Sequence, residues 1–327
     1  MHPILEAGLR VLAEACEIVS YPHDLPLKQE SIRTLAAGCR GIVSQTMDPI
    51  GSVVLSLPGL QIVTNVGAHY ANIDVEAATR HHVMVSNTPD DSTHAVADFV
   101  FGLMIAAARR ILEADRFVRS GHFQGWRLDG FLGEDIYRST LGLIGLGNVG
   151  RAIAERAGGF RMRILCHDPQ CDGIADGTGG ETAITMVALD ELLADSDFVC
   201  VLATPRAETA HLISTSQLRR MKPTAILVNT STGGVDEGAL VDALRARHIA
   251  AAAIDVYEGE PRVHPGLMEL SNVVLGAHCH SASRRLRAQR SLVAAQDVIA
   301  GMSGKRPQNL VNPDAFRCLR QPGEESE

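Results

Sequence analysis

Two groups of residues in this chain have the types and spacing that chemistry needs. The first is Gly145-Leu-Gly147-Asn148-Val149-Gly150, which follows an apolar run from Leu141 and opens a helical pattern that stops at Gly158-Gly159. In such a run the first glycine makes a tight turn and the second lets backbone approach a pyrophosphate. The third lets helix pack against strand, and the helix N-terminus faces the phosphates. Asp168 closes the next apolar run, 18 residues beyond Gly150. A carboxylate there accepts the ribose hydroxyls and repels a 2′-phosphate, so the cofactor expected is NAD rather than NADP. His167 is too weak a cation at neutral pH to reverse that preference.

The second group is Glu260 and His278. Glu260 stands in the turn Glu258-Gly-Glu260-Pro261 after the run Ala251 to Val256, and His278 ends another apolar run. Residues at the carboxyl ends of parallel strands face the crevice where ligands bind. A Glu hydrogen-bonded to an imidazole would fix its tautomer and give an acid-base group poised near neutrality. On spacing alone this pairing is one of many among 13 histidines.

The elements that must position these groups alternate between short apolar runs and helical patterns, the mark of βαβ units feeding a parallel sheet. Expected strands are 41–44, 61–64, 82–86, 141–145, 162–166, 198–202, 225–229, 251–256 and 273–276. Their near-continuous Val, Ile, Leu and Ala implies burial on both faces. After Asp91 and Ser92, either able to cap, Ala95, Val96, Phe99, Val100, Leu103 and Ala107 hold helical spacing. The pattern predicts one long helix as far as Gly121, suited to bridging domains or to a dimer interface. Ser120 to Ser139 reads as a loop, and the segment from Gln321 is polar and acidic.

Composition narrows the function classes. At 327 residues the chain has room for about two domains. Its 46% hydrophobic and 21% charged residues fit a globular protein that buries a core. A formal net charge of −8 argues against nucleic acid as a partner. Seven cysteines without a CxxC pair imply a reducing setting rather than a disulfide framework, with Cys166 and Cys171 as core and loop residues. Glu6, Arg10, Glu14 and Glu17 make the segment Leu5 to Ile18 an amphipathic helix rather than a signal core. No run reaches the roughly 18 apolar residues of a membrane span, so a cytoplasmic protein is expected.

The chain resembles the D-2-hydroxyacid dehydrogenase family over nearly its whole length, and within it glyoxylate or hydroxypyruvate reductases. The residues that carry the resemblance are Asn65-Val-Gly67, Asn72-Ile-Asp74, Asn87-Thr-Pro89, Ala95-Val-Ala-Asp98, Gly145 to Gly150, His167-Asp-Pro169, Met221-Lys-Pro223, Asn229-Thr230, Asp255-Val256, Glu260-Pro261 and His278. It implies an α/β fold of two Rossmann-like domains with doubly wound parallel sheets and an active site in the interdomain cleft. An NAD-binding domain over 89–278 would be inserted into a substrate domain made of 1–88 and 279–327. It further implies that His278 exchanges a proton with the substrate oxygen and that Glu260 holds His278. The backbone of Val66, Gly67 and Ala68 would bind the substrate carboxylate. Asp255 would contact the nicotinamide carboxamide, with Thr204, Pro205, Thr230 and Ser231 lining the cofactor. A homodimer through the helix near 92–119 is implied as well.

The chain also departs from that family. The family's Arg in Asn-Thr-Ala-Arg-Gly-Gly is replaced by Thr232 in Asn229-Thr-Ser-Thr232-Gly-Gly234. A guanidinium binds a carboxylate bidentately and stabilises negative charge on a carbonyl oxygen; a hydroxyl offers one neutral donor. His69 stands where a small residue is usual, beside the carboxylate-binding loop. Asp90-Asp91, Ala277 and His280 also differ, and one residue is missing after Gly234. The family usually has a strand before the His-Pro segment, here Met1-His2-Pro3, so either the start is truncated or that strand is dispensable. His69 or His280, when protonated, could replace part of the guanidinium's work; both could equally be exposed or cofactor-flanking. The run His278-Cys279-His280 puts two His at strand spacing, but no further ligands follow at recognisable spacing, so no metal site is expected. The expected reaction is hydride transfer between NAD and a small 2-hydroxy or 2-oxo acid. The alternative is an NAD(H)-binding sensor or interaction protein with little turnover.

Overall fold

The computed structural model describes residues 4–21, 27–89, 92–171, 183–203 and 207–319. Thr204, Pro205, Asp90, Asp91 and the tail from Gln321 lie outside them. The chain divides into two compact units, Met1–Asp91 with Ala282–Glu327, and Ser92–Ser281.

In the first unit, β1 (Gly41–Gln45), β2 (Ile62–Val66) and β3 (Met84–Asn87) form a parallel sheet in that order. Ile42, Val63 and Val85 pack with Val54, Leu55 and Ala77 on one face. Val43, Ile62 and Met84 pack on the other with Ala294, Ala295 and Val298 of the helix Arg284–Met302. Cover on both faces is why these strands are apolar throughout rather than alternating.

The second unit holds β4 (Thr140–Ile144), β5 (Arg163–His167), β6 (Ile184–Met186), β7 (Phe198–Val201), β8 (Ile226–Asn229), β9 (Ala251–Ile254) and β10 (Val273–Leu275). All pairs are parallel, in the order β10-β9-β8-β7-β4-β5-β6. The chain runs outward from β4 to β6, then returns to β7 beside β4 and builds the other way. The strand order therefore reverses between β4 and β7, and beyond the carboxyl ends of strands at such a reversal a doubly wound sheet opens its ligand crevice. Leu141, Leu143, Phe198, Cys200 and Val228 pack on one face beneath the helices Thr93–Ala108 and Asn148–Gly159. Val199, Val201, Leu227, Ala252 and Ile254 pack on the other with Leu240, Val241 and Leu244 of the helix Glu237–Arg245.

The long helix expected from Ser92 to Gly121 is two helices, Thr93–Ala108 and Ile111–Arg119. Arg110 between them has a left-handed backbone, φ 52°. The cause comes from 26 residues further on, where the amide of Glu134 donates to the Ala108 carbonyl at 3.0 Å and takes an acceptor that a continuing helix would use. Ser92 stands at the N-cap but makes no side-chain capping bond. Strand β6, three residues long, gave no apolar run to be read.

Candidate functional site

The turn after β4 holds the cofactor motif. Gly145 has φ 104°, a conformation that glycine tolerates and L side chains do not. A Cβ at Gly150 would meet the Gly145 carbonyl oxygen, whereas at Gly147 nothing lies within 4 Å. Tight packing thus dictates the third glycine, and open space faces the second. Asn148 and Val149 begin the helix Asn148–Gly159, whose N-cap Gly147 carries no side-chain cap. Its first amides are thereby left for an anion, with the helix dipole favouring one.

Asp168 follows β5 at the same end of the sheet. Its Oδ2 accepts from the Leu146 amide at 2.8 Å and its Oδ1 from the Gln170 amide at 2.9 Å. Burial pushes this carboxyl upward, but those two amides, Cys171 and the nearby His167 outweigh it and hold it below the usual carboxylate range. An ionised group beside an uncapped helix start fits a dinucleotide lacking a 2′-phosphate. Thr230 and Ser231 follow β8, and the Ser231 hydroxyl donates to the Val201 carbonyl at 3.3 Å, tying the ends of β8 and β7 together. Thr232 is exposed on the turn beyond.

His278 and Glu260, expected to pair, are brought together. Nδ1 of His278 lies 2.8 Å from Oε2 of Glu260. Oε1 of Glu260 accepts from the Tyr257 amide at 3.0 Å, so both carboxylate oxygens are engaged and the side chain is oriented. The Glu258 amide in turn donates to Glu237 at 2.8 Å, which anchors this loop to the helix Glu237–Arg245. A carboxylate accepts only, so Nδ1 of His278 is the donor in this bond. With its side chain 52% exposed, the ring can meet a ligand.

Asp255, expected to contact the nicotinamide carboxamide, is bonded to the loop that follows β10. Its side chain has no exposed surface. Oδ1 accepts from the Cys279 amide at 3.0 Å, and Oδ2 from the His280 amide at 2.9 Å and from Nδ1 of His280 at 2.8 Å. Its own carbonyl accepts from the His278 amide at 2.9 Å. A carboxylate so enclosed holds the loop that carries His278. Burial raises this carboxyl, yet the bonds from His280 and from the amides of Cys279 and His280 hold it below its ordinary range.

Two contributors were not apparent from the sequence. The Tyr257 hydroxyl donates to the Gly276 carbonyl and braces the start of the same loop. His211 pairs with Glu258, and that bond raises the proton affinity of the imidazole. Both join segments far apart in sequence, and no local pattern marks them. Among the described residues no group of three or more His, Cys, Asp and Glu is placed to hold a metal ion.

In the first unit, the loop Val66, Gly67, Ala68 and His69 leaves β2. Gly67 donates its amide to the Thr88 hydroxyl at 2.8 Å, and the side chains of Asn87 and Asn65 donate to the carbonyls of Ala68 and His69 at 2.7 and 2.6 Å. The carbonyls are thus held back. The amides of Ala68 and His69 donate to no group among the described residues.

A doubly wound sheet that carries a glycine turn and a carboxylate-backed imidazole at the ends of its strands has the parts that a nicotinamide-dependent dehydrogenase requires. The sequence profile for the D-isomer specific 2-hydroxyacid dehydrogenase NAD binding domain matches residues 101–280. The chain is 42% identical over 325 residues to a glyoxylate reductase of Korarchaeum cryptofilum, covering 98% of this chain and 96% of that one. It is 40% identical over 330 residues to a glyoxylate reductase of Thermococcus onnurineus, with the same shares covered. Among solved structures, the TT0316 protein of Thermus thermophilus superposes with a TM-score of 0.84 at 31% identity, covering 95% of this chain and 98% of that one. The chain belongs to the D-isomer specific 2-hydroxyacid dehydrogenase family. It is an NAD-dependent oxidoreductase acting on CH–OH, with small 2-hydroxy or 2-oxo acids as the substrate class.

Proposed function

We propose that this protein reduces glyoxylate or a similarly small 2-oxo acid with NADH to the 2-hydroxy acid. The observation that carries the reading is the His278–Glu260 pair at 2.8 Å, beyond the strands of the sheet that bears the glycine turn. The nicotinamide, when bound, supplies hydride to the second carbon of the substrate. His278 gives its Nε2 proton to the carbonyl oxygen, and Glu260 steadies the imidazolium before transfer. The amides of Ala68 and His69 suit the substrate carboxylate, while Gly145, Gly147, Asn148, Val149 and Gly150 suit the pyrophosphate and Asp168 the ribose. Thr230, Ser231 and His280 then flank the cofactor, and Thr232 is a substrate-side residue. The names of the two archaeal relatives support glyoxylate.

One observation favours a second reading, an NAD(H)-binding sensor with little turnover. Thr232 is exposed and offers only a hydroxyl where the family resemblance calls for a guanidinium. Initial rates with glyoxylate, hydroxypyruvate and pyruvate, before and after Thr232→Arg, separate the two. An electrostatic donor of this kind is worth about 10²–10³ in turnover. Measurable reduction by the unaltered protein supports the enzyme reading; NADH binding with no oxidation by either protein supports the sensor.

A homodimer belongs to the same reading. The helix Ile111–Arg119 buries none of its residues within its unit, and Phe123, Trp126, Leu128 and Leu132 beyond it are exposed. A second copy is the partner that such an apolar arm fits. Sedimentation of the protein and of a Trp126→Ser, Leu128→Ser double variant tests it. Cys16, Cys39, Cys166, Cys200 and Cys279 form no disulfide, which supports a reducing, cytoplasmic setting.

A further inference from the structure

We propose that His280 is a positioning residue for His278, and that the two imidazoles titrate as one coupled unit. The coupling stands on geometry; its catalytic meaning rests on the acid-base reading of His278.

Four groups stand in a row. Glu260 holds Nδ1 of His278 at 2.8 Å, and Asp255 holds Nδ1 of His280 at 2.8 Å. The two rings stack between them, with centroids 5.1 Å apart and planes at 28°. Each carboxylate fixes a hydrogen on Nδ1, so both rings take up further protons at Nε2. The row carries two negative charges when both rings are neutral. A first proton is attracted by both carboxylates, and the buried Asp255 has no water to screen it. A second must then sit about one ring stack from the first and is repelled by it. Groups coupled in this way lose protons in two steps that belong to the pair.

Among the described residues, the titratable neighbours are Tyr257, Cys279, Glu237, Glu258 and His211. Burial, with Asp255 and the neighbouring acids, pushes the Tyr257 hydroxyl up to about 12. Burial likewise raises the Cys279 thiol, so both remain neutral through the range where imidazoles titrate. Glu237, raised by burial, is occupied by the Glu258 amide, and the Glu258 carboxylate by His211. His280 thus sets the pH at which His278 acquires the proton it hands to substrate. A charged His280 makes His278 a weaker base, and a neutral one restores it.

The test follows histidine Cε1 resonances of the full chain against pH in the wild type, His280→Gln and His280→Phe. Gln keeps a donor to Asp255 without a ring; Phe keeps the stack without a charge. The wild-type His278 resonance is expected to show two inflections, and both variants a single one displaced upward by about one pH unit, the repulsion of like charges about 5 Å apart. The alkaline limb of kcat for 2-oxo acid reduction should move up by the same amount. A single inflection in the wild type overturns the proposal, and so does a His280→Phe titration identical to the wild type, which would reduce His280 to a packing platform. The wild-type curve decides alone if neither variant folds. Retained turnover in His278→Asn would instead remove the acid-base reading and leave the two inflections standing.

Discussion

A Cβ on Gly150 would stand 2.5 Å from the carbonyl oxygen of Gly145, so the ends of the cofactor turn fit together only with hydrogen at that position. Gly150→Ala is therefore expected to cost about 1–3 kcal/mol of stability, the usual toll of forcing an atom into a packed site. Gly147→Ala should leave stability near wild type, because nothing lies within 4 Å, and should weaken NADH affinity at least about tenfold by intruding on the ligand's side. Urea unfolding and NADH titration distinguish the two; a stable Gly150→Ala protein would refute the close approach.

Asp168 should govern the choice of cofactor. Replacing it with Ser removes the charge that opposes a 2′-phosphate and the acceptor for the ribose hydroxyls. The expected result is weaker NADH binding together with tighter NADPH binding, a change in preference of about tenfold or more, read from the two dissociation constants. Unchanged preference would place the ribose elsewhere.

His278→Asn should lower kcat by about 10²–10⁴, the range attached to a general acid. Glu260→Gln should cost less, about ten- to a hundredfold, in line with roughly 1.5–3 kcal/mol for a hydrogen bond to a charged group. Steady-state kinetics with glyoxylate check the order. A larger loss from Glu260→Gln than from His278→Asn would contradict a holding role for Glu260.

Acid should destabilise the second unit in a defined window. Burial raises the carboxyls of Asp168 and Asp255, but hydrogen bonds overcome it; for Asp236 the Ala239 amide is the first cause, and all three end below their ordinary range. The unfolded chain, with Asp near 3.9, then binds more protons than the folded one. The stabilisation is complete above about pH 5 and is lost as pH falls through the lower folded values. Melting temperatures between pH 6 and 3 should fall steeply for the wild type and less steeply for Asp255→Asn.

The parallel sheets and the glycine turn were legible in the sequence for physical reasons. Strands buried on both faces, such as Phe198–Val201 and Ile226–Asn229, must be apolar without interruption, and the demands on Gly145 and Gly150 are local. The helix break at Arg110 was not legible, since Glu134 causes it from outside the helical window. The enclosure of Asp255 was equally hidden: its bonds to Cys279 and His280 span 24 and 25 residues, and only the folded loop brings them together. His280 could be flagged as unusual, but its partner could not be named.

The exposed arm beyond the Arg110 break has an optical consequence. Trp126 is the chain's sole tryptophan, and 83% of its surface is open to solvent. Intrinsic indole emission therefore reports on this protrusion and is nearly blind to melting of either sheet. A blue shift on concentrating the sample would register a neighbour settling over the arm, whereas denaturation has to be followed by circular dichroism.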